Sequence, residues 1–223
     1  MYKDNSGEKD NFKKEKDAIP VNVIKRLPLY HHYLSKLKSR KIERISSKKL
    51  AEKLDLSASQ IRHDLNYFGK FGQSGYGYSV EKLYKEIEKI MGIDTVKHMV
   101  LIGAGNLGKA LIQYSHFGKR GFYFDAVFDV DSELVGNEIN NIPVLHIDRL
   151  EKYLKTNNID IGVITTPEEA ASNIAQKLVK GNVKGIWNFT PTTFDLKEEV
   201  IVENVHISES LFSLSCRMKE KFE

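Results

Sequence analysis

The 223-residue sequence is poor in the features that mark several large protein classes. Its single cysteine, Cys216, excludes an internal disulfide and a cysteine-based zinc site, and it fits a reducing cytoplasm. No apolar run approaches the roughly 18 residues of a membrane-spanning helix, and the amino terminus lacks the apolar core of a secretory signal. The histidines form no metal-binding cluster, and none lies in an obvious catalytic loop. We therefore expect a cytoplasmic protein without catalytic residues, a metal site or a membrane contact.

Charge is divided unevenly along the chain. Residues 1–93 contain 20 Lys and Arg against 12 Asp and Glu, a net charge of +8. Residues 94–223 contain 14 against 18, a net charge of −4, and the two parts together give the +4 of the whole chain. A basic first part before an acidic second part indicates two functions, the first with a polyanion as partner. Chance clustering of solvated charge is the alternative.

The basic part predicts a flexible tail and then a DNA-binding domain. Residues 1–18 are too polar to bury a core. Residues 19–93 predict a helix, a short helix, a tight turn and another helix, which is the helix-turn-helix layout. The glycine-rich segment 69–79 then predicts a β-hairpin or a loop. A hairpin at this place is what a winged helix needs, and its small residues let the backbone approach phosphates. A further amphipathic helix is expected at 80–91.

The helix after the tight turn is the predicted recognition helix. Ser57 is its expected N-cap, and it is predicted to continue through Phe68. Its apolar face can hold it to the domain, while on its polar face Gln60 can pair with adenine and Arg62 with guanine. A helix-turn-helix that binds protein is the alternative. The predicted DNA contacts are Lys48, Lys49, Ser57, Ser59, Gln60, Arg62, His63, Asn66, Tyr67 and Lys70.

Strand and helix patterns alternate from about residue 94. Such alternation predicts a Rossmann-like α/β domain with a parallel sheet covered by helices, which we place at 94–206. A last amphipathic helix is predicted at 207–221, within a C-terminal segment 207–223.

A glycine motif, Gly103-x-Gly105-x-x-Gly108, follows the first buried strand of this domain and opens a helix. In that context Gly103 permits a tight turn, Gly105 lets the backbone approach a pyrophosphate, and Gly108 allows close helix–strand packing. The helix N-terminus supplies unpaired N–H groups for the phosphates. A turn without a ligand is the alternative. The predicted pyrophosphate site is Gly103, Ala104, Gly105, Asn106, Leu107 and Gly108.

The ends of later strands supply the other cofactor candidates. Asp129 lies about 20 residues beyond Gly108, where a carboxylate binds the adenosine ribose and repels a 2′-phosphate, so NAD(H) is favoured over NADP(H). Asp131 competes for this role, and capping of a turn is the alternative for an aspartate here. Further residues at strand ends are predicted to line the cofactor, with ordinary turns as the alternative: Thr165, Thr166, Pro167 and Asn188.

The sequence resembles the Rex family of redox-sensing transcriptional repressors over residues 19–215. The resemblance rests on several motifs in the same order: RLPLY at 26–30, RISSKKLAEKL at 44–54, QIRHDLNYFGKFG at 60–72, GYGY at 75–78, GAGNLGKAL at 103–111, FDVD at 128–131 and KGIWNFTP at 184–191.

This resemblance implies a homodimer with a winged-helix domain that binds operator DNA and a Rossmann domain that binds NAD(H). It also implies that the C-terminal helix exchanges between protomers, that NAD⁺ permits operator binding, and that NADH releases the DNA. Tyr114 matches the tyrosine that responds to the redox state of the nicotinamide.

Four positions depart from the family pattern. His63 and Ser74 stand where the family often has a basic residue, which weakens the charge available for phosphates. His206 stands where many members have an aspartate, and His32 where some have an arginine that pairs with it. The NADH response is therefore expected to be weaker, to depend on other contacts, or to be pH-sensitive. The alternative is that the contact between these two positions is not needed.

The leading hypothesis is a repressor that senses the NADH/NAD⁺ ratio and is not an enzyme. An NAD-dependent oxidoreductase with an accessory DNA-binding domain is the first alternative, although the chain has neither an obvious catalytic acid nor a substrate lobe. The second alternative is a repressor that binds another adenosine-containing ligand, such as a coenzyme A derivative.

Overall fold

The residues described by the computed structural model are 19–69, 71–73, 76–196 and 200–222. The chain forms two compact units, and the division falls between Gly92 and Ile93. The predicted tail, Lys70 and Ser74 lie outside the described residues. None of the helices in the described ranges combines the length and the apolar composition that a membrane span requires.

The first unit contains four helices and a small antiparallel sheet. Its helices are α1 (Val21–Ser39), α2 (Ser47–Leu54), α3 (Ala58–Asn66) and α4 (Val80–Met91). Its strands are β1 (Arg44–Ile45), β2 (Gly72–Gln73) and β3 (Gly77–Ser79), in the order β1-β3-β2. Because α3 follows α2 after a short turn and the strands β2 and β3 follow α3, the predicted winged helix-turn-helix is confirmed.

Serine side chains fix where α2 and α3 begin. The Oγ of Ser46 accepts from the amide of Lys49 at 3.2 Å, and the Oγ of Ser57 accepts from the amide of Gln60 at 3.0 Å. Both satisfy N–H groups that have no partner within the helix. Between the helices Asp55 adopts a left-handed conformation, with φ of 55°, which a short polar side chain tolerates. The tight turn thus follows from local chemistry.

Helix α3 ends at Asn66, so the predicted continuation through Phe68 is wrong. The amide of Phe68 donates to the carbonyl of Leu65 at 3.1 Å, and the chain turns there.

Apolar side chains from all four helices form one buried core, which holds α3 with its polar face outward. Fully buried members of this core include Leu34, Leu50, Ile61, Leu83 and Ile87.

The second unit is built on a seven-stranded sheet. Its strands are β4 (Lys97–Ile102), β5 (Phe122–Asp129), β6 (Glu138–Ile139), β7 (Ile142–His146), β8 (Ile161–Ile164), β9 (Gly185–Asn188) and β10 (Ile201–Asn204). The order is β10-β9-β8-β4-β5-β7-β6, and all pairs are parallel except β6 with β7. Its helices are α5 (Asn106–Gln113), α6 (Leu150–Thr156), α7 (Glu168–Lys180) and α8 (Ile207–Phe222). This is the expected Rossmann-like arrangement.

Strand β4 lies at the point where the strand order reverses, between β5 and β8. Val100 and Ile102 pack into the core formed with α6 and α7, while Met99 and Leu101 pack into a second core that includes Ile112 of α5. The strand is therefore buried on both faces. A reversal of this kind opens a crevice at the carboxyl ends of the strands, which is where ligands bind in such sheets.

The hairpin of β6 and β7 was not predicted. Its turn uses Asn140 and Asn141, which have positive φ of 53° and 63°. A two-residue hairpin with both central residues at positive φ favours asparagine. The Asn-Asn pair between two isoleucines therefore indicates a hairpin in the sequence itself.

Helix α8 contains no buried residue in the described part of the chain. Its apolar side chains are exposed by half or more, including Leu211 at 63% and Phe222 at 75%. The helix thus presents an uncovered apolar surface.

Candidate nucleotide site and nucleic-acid interface

The chain turns sharply between β4 and α5. Gly103 has φ of +99°, and a Cβ there would lie 2.7 Å from the carbonyl oxygen of Thr165. A Cβ at Gly108 would collide with the carbonyl oxygen of Gly103. A Cβ at Gly105 would meet nothing within 4 Å. The first and last glycines are therefore required by packing, whereas the backbone at Gly105 faces open space in which amide groups can reach an anion.

Asp129 ends β5, and its carboxylate holds the glycine turn. Oδ2 accepts from the amide of Ala104, and Oδ1 accepts from the amides of Val130 at 2.7 Å and Asp131 at 2.9 Å. Asp131 caps the next turn instead, since its Oδ1 accepts from the amide of Glu133 at 2.9 Å. Of the two aspartates, Asp129 is the one bound to the glycine turn. A carboxylate has about four acceptor positions, so Asp129 retains capacity for a ligand hydroxyl.

The loop after β8 packs on the glycine turn and contributes an unsatisfied hydroxyl. The Oγ1 of Thr165 lies 2.7 Å from the carbonyl oxygen of Gly103, to which it donates. The hydroxyl of Thr166 is buried and has no hydrogen-bond partner among the described residues. Because a buried polar atom rarely remains unpaired, this hydroxyl indicates a place for a ligand or water. Pro167 follows and immediately precedes α7.

A cleft of about 420 Å³ opens between these loops at the carboxyl edge of the sheet. Predicted cofactor residues on its walls are Gly103, Asp129, Thr166 and Pro167. Sequence reasoning missed Val130, Ile147, Asp148, Asn173 and Lys177, which also line it. Asn173 and Lys177 lie one turn apart on α7, so the helical period after the Thr-Pro loop was a signal for both. Its apolar and polar walls fit the adenosine half of a dinucleotide.

The carboxamide of Asn188 has a structural role in this unit. It is fully buried; its nitrogen donates to Asn204 Oδ1 at 2.8 Å and to the carbonyl of Thr192 at 2.9 Å. Its oxygen accepts from the hydroxyl of Thr190 at 2.8 Å. The side chain therefore stabilises the loop after β9, and its contact with the cofactor stays a prediction.

Other predicted cofactor residues surround α5. Ala104 is buried, Leu107 is half-buried, and Asn106 is exposed in the first turn of the helix. Tyr114 follows the helix with 53% of its surface exposed, and its ring stacks on His116 with centroids 5.0 Å apart. It lies outside the residues that line the cleft. Its response to the nicotinamide stays a prediction.

In the first unit, most of the predicted DNA contacts on helix α3 are exposed to solvent. Arg62 donates to the Oγ of Ser47 at 3.3 Å, and His63 packs edge-on against Tyr67 with ring centroids 5.2 Å apart. Gln60 is half-buried. The exposed residues among the predicted DNA contacts are Lys48, Lys49, Ser57, Ser59, Arg62, His63, Asn66 and Tyr67.

Asp64 is a buried carboxylate on α3 that sequence reasoning missed. Its side chain is 0% exposed, and it accepts from Nε of Arg26 at 2.6 Å and Nη2 at 2.8 Å. It also accepts from the hydroxyl of Tyr30 and from Nε2 of Gln60, the latter at 2.8 Å. Burial alone would raise the pKa of Asp64, but these hydrogen bonds lower it below its ordinary value. Burial, together with the contact to Asp64, raises the pKa of Tyr30.

His32 is exposed on α1, and His206 is half-buried just before α8. The two histidines belong to different units, and a contact between them stays a prediction. Across the part of the chain that the structure describes, no three His, Cys, Asp or Glu side chains form a group able to hold a metal ion.

Comparisons with known proteins find matches for both units. Residues 94–192 match the family "CoA binding domain" and residues 18–66 match "Putative DNA-binding protein N-terminus". The "Redox-sensing transcriptional repressor Rex" of Clostridium botulinum (strain Hall) is 50% identical over 202 residues, which cover 91% of this chain and 96% of that protein.

Solved structures of RSP, described as a Rex-family repressor, are similar over nearly the whole chain. The complex of RSP with NAD⁺ and operator DNA has a TM-score of 0.87 at 45% identity, covering 92% of this chain and 94% of that one. The complex of RSP with NADH has a TM-score of 0.85 at 42% identity, covering 91% and 95%.

Proposed function

The chain belongs to the Rex family of redox-sensing transcriptional repressors, and from this membership we propose how its own residues bind DNA and nucleotide. It is a DNA-binding repressor whose cofactors are NAD⁺ and NADH. We further propose that it acts in the cytoplasm as a homodimer, by binding and not by turnover. In this proposal the free and NAD⁺-bound forms hold the operator, and the NADH-bound form releases it.

The glycine turn is the observation that carries this proposal. Close backbone contacts fill the space at Gly103 and Gly108, whereas Gly105 faces open space. The amides at the start of α5 bind the pyrophosphate there, and the helix dipole favours its negative charge. Asp129 accepts from one ribose hydroxyl with its remaining acceptor position, and the unpaired hydroxyl of Thr166 gains a partner. The bound nicotinamide supplies the redox signal, because its ring loses one positive charge on reduction.

On the DNA side, α3 enters the major groove with its exposed polar face. Arg62 and Gln60 read base edges, while Lys48 and Lys49 at the start of α2 contact phosphates. Two such helices in a dimer must lie about 34–36 Å apart to meet successive major grooves.

The nucleotide regulates DNA binding by favouring one of two dimer arrangements. A ligand shifts an equilibrium only through a difference in its affinity for the two states. A tenfold preference of NADH for the arrangement that does not fit DNA corresponds to about 1.4 kcal/mol per site. Two sites in one dimer reinforce each other, which sharpens the response.

Fluorescence anisotropy with a labelled palindromic operator tests this function. We expect NADH to weaken operator binding by about tenfold or more and NAD⁺ to leave it unchanged. Equal effects of the two nucleotides would contradict redox sensing. Incubation of the same protein with NADH and small carbonyl compounds is the control for the oxidoreductase alternative, and steady consumption of NADH absorbance would favour that alternative.

A further inference from the structure

We propose that Asp64 is a positioning residue that sets which atoms Gln60 presents to the DNA bases, an inference that rests on the proposed operator binding. Asp64 is fully buried on α3 and therefore does not itself reach DNA. Gln60 lies one helical turn earlier on the same face and is half-buried. The contact between them joins a buried anchor to a residue of the recognition face.

The chemistry of the contact fixes the orientation of the carboxamide. An ionised carboxylate only accepts hydrogen bonds, so the atom of Gln60 that faces Asp64 has to be the nitrogen. The structure has this arrangement, with Nε2 donating to Oδ1 at 2.8 Å. The reverse orientation would place Oε1 against a negative charge. Oε1 is consequently directed away from Asp64, and no hydrogen bond to it is found within the described residues.

Asp64 is itself held in place from a different helix. Arg26 of α1 donates two hydrogen bonds to it, at 2.6 and 2.8 Å, and Tyr30 donates a third. The guanidinium compensates the buried charge, and a two-point contact of this kind fixes the plane of the carboxylate. Gln60 is thus oriented by the fold before DNA is present, which reduces the rotamer freedom it loses on binding.

This orientation favours particular bases. An outward Oε1 accepts from an exocyclic amino group, which adenine and cytosine present in the major groove. Guanine and thymine present acceptors or a methyl group there. We therefore expect Gln60 to require the amino group of one adenine or cytosine in each half-site.

The first test removes base amino groups one at a time from the operator. Purine replaces adenine, or 2-pyrimidinone replaces cytosine, and anisotropy gives the affinity of the wild-type protein and of Gln60→Met, which has similar length and no amide. At one position we expect the wild type to lose roughly tenfold in affinity, whereas Gln60→Met loses nothing further. The inference is overturned if Gln60→Met keeps the wild-type sensitivity at every position.

The second test asks whether Asp64 acts through Gln60. Asp64→Asn should reduce the discrimination at that base to the level of Gln60→Met, and it should add nothing in the Gln60→Met background. Tyr30→Phe is the matched control, because it removes one hydrogen bond to Asp64 but leaves the Gln60 contact. A purely structural role would instead lower affinity for all operators equally and leave base discrimination intact.

A further variant keeps the inference testable if circular dichroism shows that Asp64→Asn does not fold. Arg26→Lys keeps a positive charge beside Asp64 but loses the two-point contact that fixes the plane of its carboxylate. We expect it to lose the discrimination, and retention would overturn the inference. Failure of the wild-type protein to bind any operator would instead contradict the proposed function.

Discussion

The glycine turn allows packing and ligand binding to be separated with two alanine substitutions. At Gly108 a Cβ would collide with the carbonyl oxygen of Gly103, so Gly108→Ala should cost about 1–3 kcal/mol in unfolding free energy, as overpacking does. For a unit of this size that lowers the midpoint of thermal unfolding by roughly 3–10 °C. Gly105 has φ of −66° and open space around it. Gly105→Ala should therefore leave stability unchanged or raise it by about 0.4–1 kcal/mol.

Gly105→Ala should weaken nucleotide binding although it does not lower stability. The added methyl group of Gly105→Ala occupies the space through which the amides of α5 would reach the pyrophosphate. We expect a loss of tenfold or more in NADH affinity, about 1.4 kcal/mol. Thermal unfolding without ligand and calorimetric titration with NADH measure the two effects separately. A Gly105→Ala protein that binds NADH as the wild type does would refute the placement of the pyrophosphate at this turn.

Three further substitutions give distinct expectations. Asp129→Ala removes both the ribose acceptor and the bond to the amide of Ala104, so NADH affinity should fall by about tenfold or more and the unfolding midpoint should also drop; calorimetry showing unchanged affinity would contradict the ribose assignment. Thr166→Val removes a buried hydroxyl without a partner, so stability should hold or rise by about 1 kcal/mol while NADH binding weakens, and unimpaired binding would place the nucleotide elsewhere. The pKa of Asp64 is lowered in the folded state, so the ionised carboxylate stabilises the fold. This stabilisation is fully present above the unfolded pKa of about 3.9 and is lost as pH falls through the folded pKa. Asp64→Asn should therefore flatten the decline of the unfolding temperature below about pH 4, and an unchanged decline would argue against the paired carboxylate.

Local chemistry made parts of both units predictable. Ser57 capped its helix as expected because a cap needs only neighbouring backbone amides. The turn at Gly103 could be read from the order of strand, glycines and helix, since the positive φ of Gly103 and the contact of Gly108 with the carbonyl of Gly103 are both local. The alternation of strands and helices then predicted the sheet itself.

Contacts between distant segments were not readable in the same way. The bond between Arg26 and Asp64 joins residues 38 positions apart, and only the packing of α1 against α3 brings them together. Asn188 looked like a ligand contact because it ends a strand, but its bond to Asn204 depends on β10 lying beside β9. Such partners are set by tertiary structure and not by local pattern.

The bare apolar surface of α8 bears on how measurements on this protein are compared. An isolated helix of this length is only marginally stable in water, and α8 gains no burial from its own unit. Whether α8 is ordered in solution then depends on what covers Leu211 and its neighbours. The stabilisation that such a covering partner gives depends on concentration by mass action. Melting temperatures of two variants are consequently comparable only at matched protein concentration, and a dilution series becomes an informative measurement in its own right.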